Sequence, residues 1–163
     1  MSKLNKGKIL GIAAACLLVV TGLEGAGVLP APTTVAQEAP SVSIMPEDQD
    51  VEALGTFDID VWVDAAGRGL VGIDVAVQYN SNVMTTTKDD VVVYDLVNLT
   101  LEMGPDVTEA AGVGEVSYQQ VGVANVPGVD NSVMTITFTM LPAAEADVPY
   151  PITVSKGDLL DDT

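Results

Sequence analysis

The chain has 163 residues, enough for one domain with a sizeable hydrophobic core, and carries 23 Asp and Glu against 6 Lys and Arg for a formal charge of -17. From Gln37 onward, 22 acids face only Arg68, Lys88 and Lys156. This excludes nucleic acid and anionic membrane surfaces as partners, since both are bound through clusters of Lys and Arg. With no histidine there is no Ser-His-Asp or Cys-His catalysis and no imidazole metal ligand.

The chain opens with MSKLNKGK, a basic stretch holding Lys3, Lys6 and Lys8, and residues 9–23 follow with no charge. Fifteen apolar or small residues suit the core of a secretory leader and fall short of the roughly 20 that a spanning helix needs. Residues 1–26 therefore read as a signal peptide or N-terminal anchor, and any membrane contact is through this segment. The destination is secreted or cell surface. Cys16 is the sole cysteine, which excludes an intrachain disulfide; it has Ala13 three residues back and Leu17 to Val20 after it. That is the setting of a small apolar side chain, not of a lipid attachment point. Residues 27–40 contain three prolines and one charge and read as a Pro/Ala-rich linker. The folded domain is expected over 41–163.

Within it, 26 valines and 14 threonines over the whole chain favour strands. Thr56–Asp64 alternates strictly, with Phe57, Ile59, Val61 and Val63 on one face and Asp58, Asp60, Trp62 and Asp64 on the other. Residues 71–79 place Val71, Ile73, Val75, Val77 and Tyr79 inward and Gly72, Asp74, Ala76 and Gln78 outward. Residues 133–140 set Met134, Ile136, Phe138 and Met140 against Thr135, Thr137 and Thr139. Period-two faces of this kind belong to half-buried antiparallel strands. Weaker strands are expected at 41–44, 91–94, 96–101, 114–123 and 152–154, with turns at 65–67, 80–82, 126–131 and 149–151. Residues 106–111 (DVTEAA) suggest one helical turn capped by Asp106. The fold class is all-β: an antiparallel β-sandwich of about eight or nine strands in jelly-roll or Greek-key order, with little helix.

Four collinear pieces carry a family resemblance. They are the opening SVSIMPEDQDVEALGTFDIDVWVD, the block GLVGIDVAVQYNSNVM from Gly69, the strand MTITF from Met134, and the ending PITVSKGDLLD. In that order and spacing they resemble a cohesin domain over residues 41–162, with Asn80-Ser81 where the family has Asp-Pro. The resemblance implies a non-catalytic module that holds a calcium-loaded dockerin of another protein against one flat sheet face, in some settings within polysaccharide-degrading assemblies. It places Asp74 at the outward carboxylate presented to the partner, with Gly72, Ala76 and Gln78 completing the row. Calcium is then expected on the dockerin-bearing partner, and no cofactor on this chain.

Two other readings remain open beside it: a carbohydrate-binding module and a structural cell-surface domain. For sugar binding the candidate is Trp62, joined by Tyr94, Tyr118 or Tyr150 if these form an exposed strip. Asp58, Asp60 and Asp64 stand roughly 7 Å apart along a strand, which suits a solvated acidic face better than a converging calcium cage. No cleft with paired carboxylates is evident, so the chain reads as not an enzyme. Asn98-Leu99-Thr100 is an N-glycosylation sequon, which makes Asn98 a candidate acceptor in an exported chain.

Overall fold

Alternating Val, Ile and Phe with Asp and Thr leaves each strand one apolar face, and two sheets bury those faces against each other. The computed structural model describes residues 6–12, 39–97, 99–127 and 130–161. In chain order these form β1 (Lys6–Ile12), β2 (Ser41–Met45), β3 (Asp48–Glu52), β4 (Thr56–Asp64), β5 (Gly69–Asn80) and β6 (Met84–Thr85). A one-turn 3-10 helix (Lys88–Asp90) leads to β7 (Val91–Val93), β8 (Leu99–Ala110), β9 (Val113–Pro127), β10 (Asp130–Met140) and β11 (Pro149–Asp161). One sheet has the order β3-β1-β11-β5-β9-β8; the other runs β2-β4-β10-β6, with β7 also pairing β10. Among these pairings only β8 with β9 joins strands consecutive in the chain, so the other connections cross or skip, as in Greek-key sandwiches. The all-β sandwich expected from the alternation is what forms.

The core lies between the sheets. Ile59, Val61 and Val63 of β4 meet Ile73, Val75 and Val77 of β5 and Met134, Ile136 and Phe138 of β10, all at most 1 % exposed. Each such side chain contributes about 1.5–3 kcal/mol on burial. Phe138 is the aromatic centre, stacked on Phe57 at 5.5 Å and met edge-on by Tyr79 at 4.9 Å. Tyr79 fits because residue 114 is glycine: a Cβ there would lie 2.1 Å from the Tyr79 ring.

Several local expectations are corrected. A register shift between Leu70 and Gly72 turns fully buried Leu70 into the core and leaves Val71 only half-buried, so the inward row of β5 begins one residue earlier. A second shift between Ser132 and Met134 buries Val133 as well as Met134. Residues 106–111 are not a helical turn. They are mostly the second half of β8, paired in register with 113–117 of β9. Ala111 and Gly112, both at positive φ (52° and 84°), make the two-residue turn that closes this hairpin. The only helical turn among the described residues is the 3-10 helix, where the Asp90 carboxylate accepts from the Thr87 hydroxyl at 2.6 Å. The acidic 47–50 stretch largely enters β3, and the expected 126–131 turn is narrowed by β9 reaching Pro127 and β10 starting at Asp130.

The N-terminal segment brings a further difference. Lys6–Ile12, inside the stretch read as a leader, is paired parallel to β11 and antiparallel to β3. A leader cleaved near residue 26 would take β1 with it, so β1 and a cleaved leader exclude each other in one mature chain. Cys16, most of the 27–40 linker and Asn98 lie outside the described residues.

Candidate functional sites

Two surfaces are built by the outer faces of the sheets. On the six-stranded sheet, β11, β5, β9 and β8 bring their outward residues into rows across four strands. One row reads Leu160–Gly72–Val121–Leu101, the next Asp158–Asp74–Gln119–Met103, then Lys156–Ala76–Ser117–Asp106 and Thr153–Gln78–Glu115–Thr108. Leu160, Leu101 and Met103 are each about half exposed (51 %, 53 % and 50 %), so an apolar band crosses one end of an otherwise polar face.

Asp74 sits in the middle of that face. Its Oδ2 accepts from Lys156 Nζ at 2.5 Å and from Gln119 Nε2 at 3.2 Å, and Lys156 also lies 3.9 Å from Asp158. The hydrogen bond to Asp74 above all, opposed by desolvation and helped by the charges of Asp74 and Asp158, holds the Lys156 ammonium above its usual range. Gln78 lies on the same face, two rows further along β5, and donates to Glu115 at 2.9 Å. Gly72 and Ala76 face outward but offer little surface. Leu160 lies so close over Gly72 that a Cβ there would meet its Cδ1 at 2.8 Å, and Ala76 is 5 % exposed. Of the four residues expected at the partner face, Asp74 and Gln78 are part-exposed, while Gly72 and Ala76 are buried.

The residues missed from sequence are the apolar ones. Sequence spacing puts Leu101 at the end of the 96–101 strand and Met103 between that strand and the 106–111 turn. The alternation Leu101, Met103 about Glu102 was the available signal.

The second surface is a cleft of about 660 Å³ on the outer face of the other sheet, lined by Asp60, Trp62, Val93, Tyr94, Asp95, Leu96, Asn131 and Ser132. The β10 bulge forms its floor: Trp62 lies opposite Ser132 on one side, and the Tyr94 amide donates to the Val133 carbonyl at 2.9 Å on the other. The Trp62 indole N–H donates to Asp130 at 2.5 Å. The Tyr94 hydroxyl is 3.2 Å from that of Thr135, which donates to Asp60 at 2.5 Å. Thr137 pairs with Asp58 in the same cross-strand manner at 2.6 Å. No group of three or more metal-ligating side chains forms among the described residues.

Behind the cleft stands fully buried Gln120. Its carbonyl oxygen accepts from the Leu96 amide at 3.1 Å, and its amide donates to the Tyr94 carbonyl and to the Tyr118 hydroxyl, the latter at 3.0 Å. Tyr118 in turn donates to Glu102 at 2.9 Å; burial above all, then Glu102, pushes its phenol up to about 12, with Gln120 acting in the opposite sense. Tyr118 and Tyr150 are buried (2 % and 8 % exposed), so the exposed strip of Trp62 with two of the three tyrosines does not exist. Tyr94 alone joins Trp62.

Together the two packed layers define an all-β sandwich whose outer faces carry, on one side, a polar surface with an apolar band and, on the other, a cleft. No protein-family model matches the chain, and no curated protein does. Among solved structures, a chain of a dockerin–cohesin complex is similar at 13 % identity and TM-score 0.41, over 64 % of this chain and 92 % of that one. A likeness of that size carries no functional conclusion.

Proposed function

We propose that this protein is an exported, non-catalytic protein-binding module that docks its partner on the outer face of β11, β5, β9 and β8. The observation that supports this most is the apolar band of Leu101, Val121 and Leu160 beside the row of Met103, Gln119, Asp74 and Asp158. Apolar anchors rimmed by hydrogen-bonding groups are what a specific interface needs. Strands of 12 to 15 residues make this face roughly 40 Å long, and four of them about 19 Å wide. The resulting area of roughly 760 Å² is close to the ~800 Å² that one partner gives to a standard interface.

The sequence resemblance to cohesins names the partner: a calcium-loaded dockerin, with the metal on that partner. Asp74 would then exchange its bond to Lys156 for hydroxyl or helix-end donors of the partner. With Asp74, Asp158, Asp106 and Glu115 against Lys156, the face favours a partner presenting positive or hydroxyl-rich surface. A role in polysaccharide breakdown follows only through what that partner carries. The test is a calorimetric titration of the full chain with dockerin modules from the same genome, with calcium and then with chelator. Saturable, calcium-dependent binding that weakens about tenfold in Met103→Asp supports the reading; silence toward every dockerin overturns it.

A further inference from the structure

The cleft on the opposite sheet is not used by the docking face. We propose that it is a binding site for a neutral pyranose-type sugar, held between Trp62 and Tyr94 above the β10 bulge.

The geometry is that of a slot. Trp62 and Tyr94 rise from backbones on either side of β10, two strand spacings or about 10 Å apart. Between them the bulge lowers the floor at Ser132, which is 8 % exposed. Bulges re-aim side chains in this way beside binding sites. The cleft is open to solvent, and its 660 Å³ lies within the roughly 300–1,000 Å³ of small-molecule sites. Both walls are held in place: the indole by Asp130, and the Tyr94 segment by Gln120 through the Tyr94 carbonyl and the Leu96 amide.

The chemistry of the lining selects the ligand. Aromatic faces take up the apolar C–H faces of a sugar ring, while its hydroxyls donate to carboxylates and exchange bonds with a carboxamide. Asp60, Asp95 and Asn131 supply these groups at the rim. Among the described residues no Lys or Arg lines the cleft, and three carboxylates, Asp60, Asp95 and Asp130, line or adjoin it. An acidic sugar or other anion is therefore repelled. A peptide rich in Lys would satisfy the charge but leaves the two aromatic side chains and the amide of the lining unexplained.

Trp62 is the only tryptophan of the chain, so its emission reports this site alone. The full chain is titrated with cello-, xylo-, manno- and N-acetylchito-oligosaccharides, with oligogalacturonate, and with a Lys-rich peptide. A saturable change in Trp62 emission with at least one neutral series, absent with oligogalacturonate, is the expected result. Affinity should fall about tenfold in Tyr94→Ala, the loss of about 1.4 kcal/mol that one stacked ring represents. Asn131→Ala should weaken binding with the fold intact by circular dichroism, and Met103→Asp, on the other face, should change nothing. No response to any neutral sugar, equal affinity for oligogalacturonate, or a response confined to the peptide overturns the proposal. None of these outcomes bears on dockerin binding, which uses the other sheet.

Discussion

Replacing Gln120 by Leu separates shape from hydrogen bonding at the one buried side chain that ties β9 to the segment carrying Tyr94. Leucine fills a similar volume, but the Leu96 amide and the Tyr94 carbonyl both lose their partner, whereas Tyr118 keeps Glu102. A backbone group left unpaired in the interior costs about 1–3 kcal/mol. Tyr94 is 42 % exposed, so its carbonyl gains some access to water, and the added apolar burial offsets part of the remainder. The net expectation is a loss of about 2 kcal/mol, equivalent to roughly 6 °C in Tm for a domain of this size. Urea unfolding followed by circular dichroism should show a lower midpoint with an unchanged m value. A change below about 0.5 kcal/mol, the range of ordinary surface substitutions, would refute the claim that Gln120 anchors this segment.

Gly114→Ala drives a Cβ into the Tyr79 ring, which Phe138 and the 2.9 Å bond to Glu109 hold in place. It should cost about 1–3 kcal/mol in urea unfolding, and much of that should return when Tyr79→Ala is added. At alkaline pH the folded state holds the Tyr118 proton more tightly than the unfolded chain, whose phenol ionises near 10. Its contribution is therefore complete below about pH 10 and is lost as the pH rises toward 12. Tyr79 acts in the same direction, through burial first and then Glu109. Tm should fall across that window, less steeply in Tyr118→Phe, and a flat profile would contradict the assignment. Export with leader cleavage predicts that protein recovered outside the cell lacks its N-terminal residues by intact mass. Recovery of the full-length mass there would instead retain β1.

Much of the sandwich was legible because β4 throughout, and β5 and β10 over most of their length, alternate apolar and polar residues, and one face of each had to be buried. What alternation cannot show is where a bulge shifts it. The shifts at Leu70–Gly72 and Ser132–Met134 exchange inward and outward residues locally, and the second of them makes the floor of the cleft. Residues 106–111 misled for a different reason. Glu109, Ala110 and Ala111 favour a helix in isolation, yet pairing of β8 with β9 and the turn at Ala111-Gly112 override that local preference. The candidate sites divide along the same line. Asp74 and Gln78 fall on the outer row by simple counting, whereas the cover of Leu160 over Gly72 and the bond from Lys156 to Asp74 join residues more than 80 positions apart. The fate of the tyrosines was equally hidden, since Tyr118 turns inward to Gln120 and Tyr94 outward to Trp62.

The proposed partner docking belongs to the outer face of β11, β5, β9 and β8. The most direct measurement is one titration series against a calcium-loaded dockerin, comparing the unmodified chain with Leu101→Asp, Asp74→Ala and Trp62→Ala. Docking on this face makes the first two variants lose affinity by about tenfold or more while Trp62→Ala binds as the unmodified chain does. Undiminished binding in both Leu101→Asp and Asp74→Ala, or loss only in Trp62→Ala, would move the docking surface off this face and contradict the account.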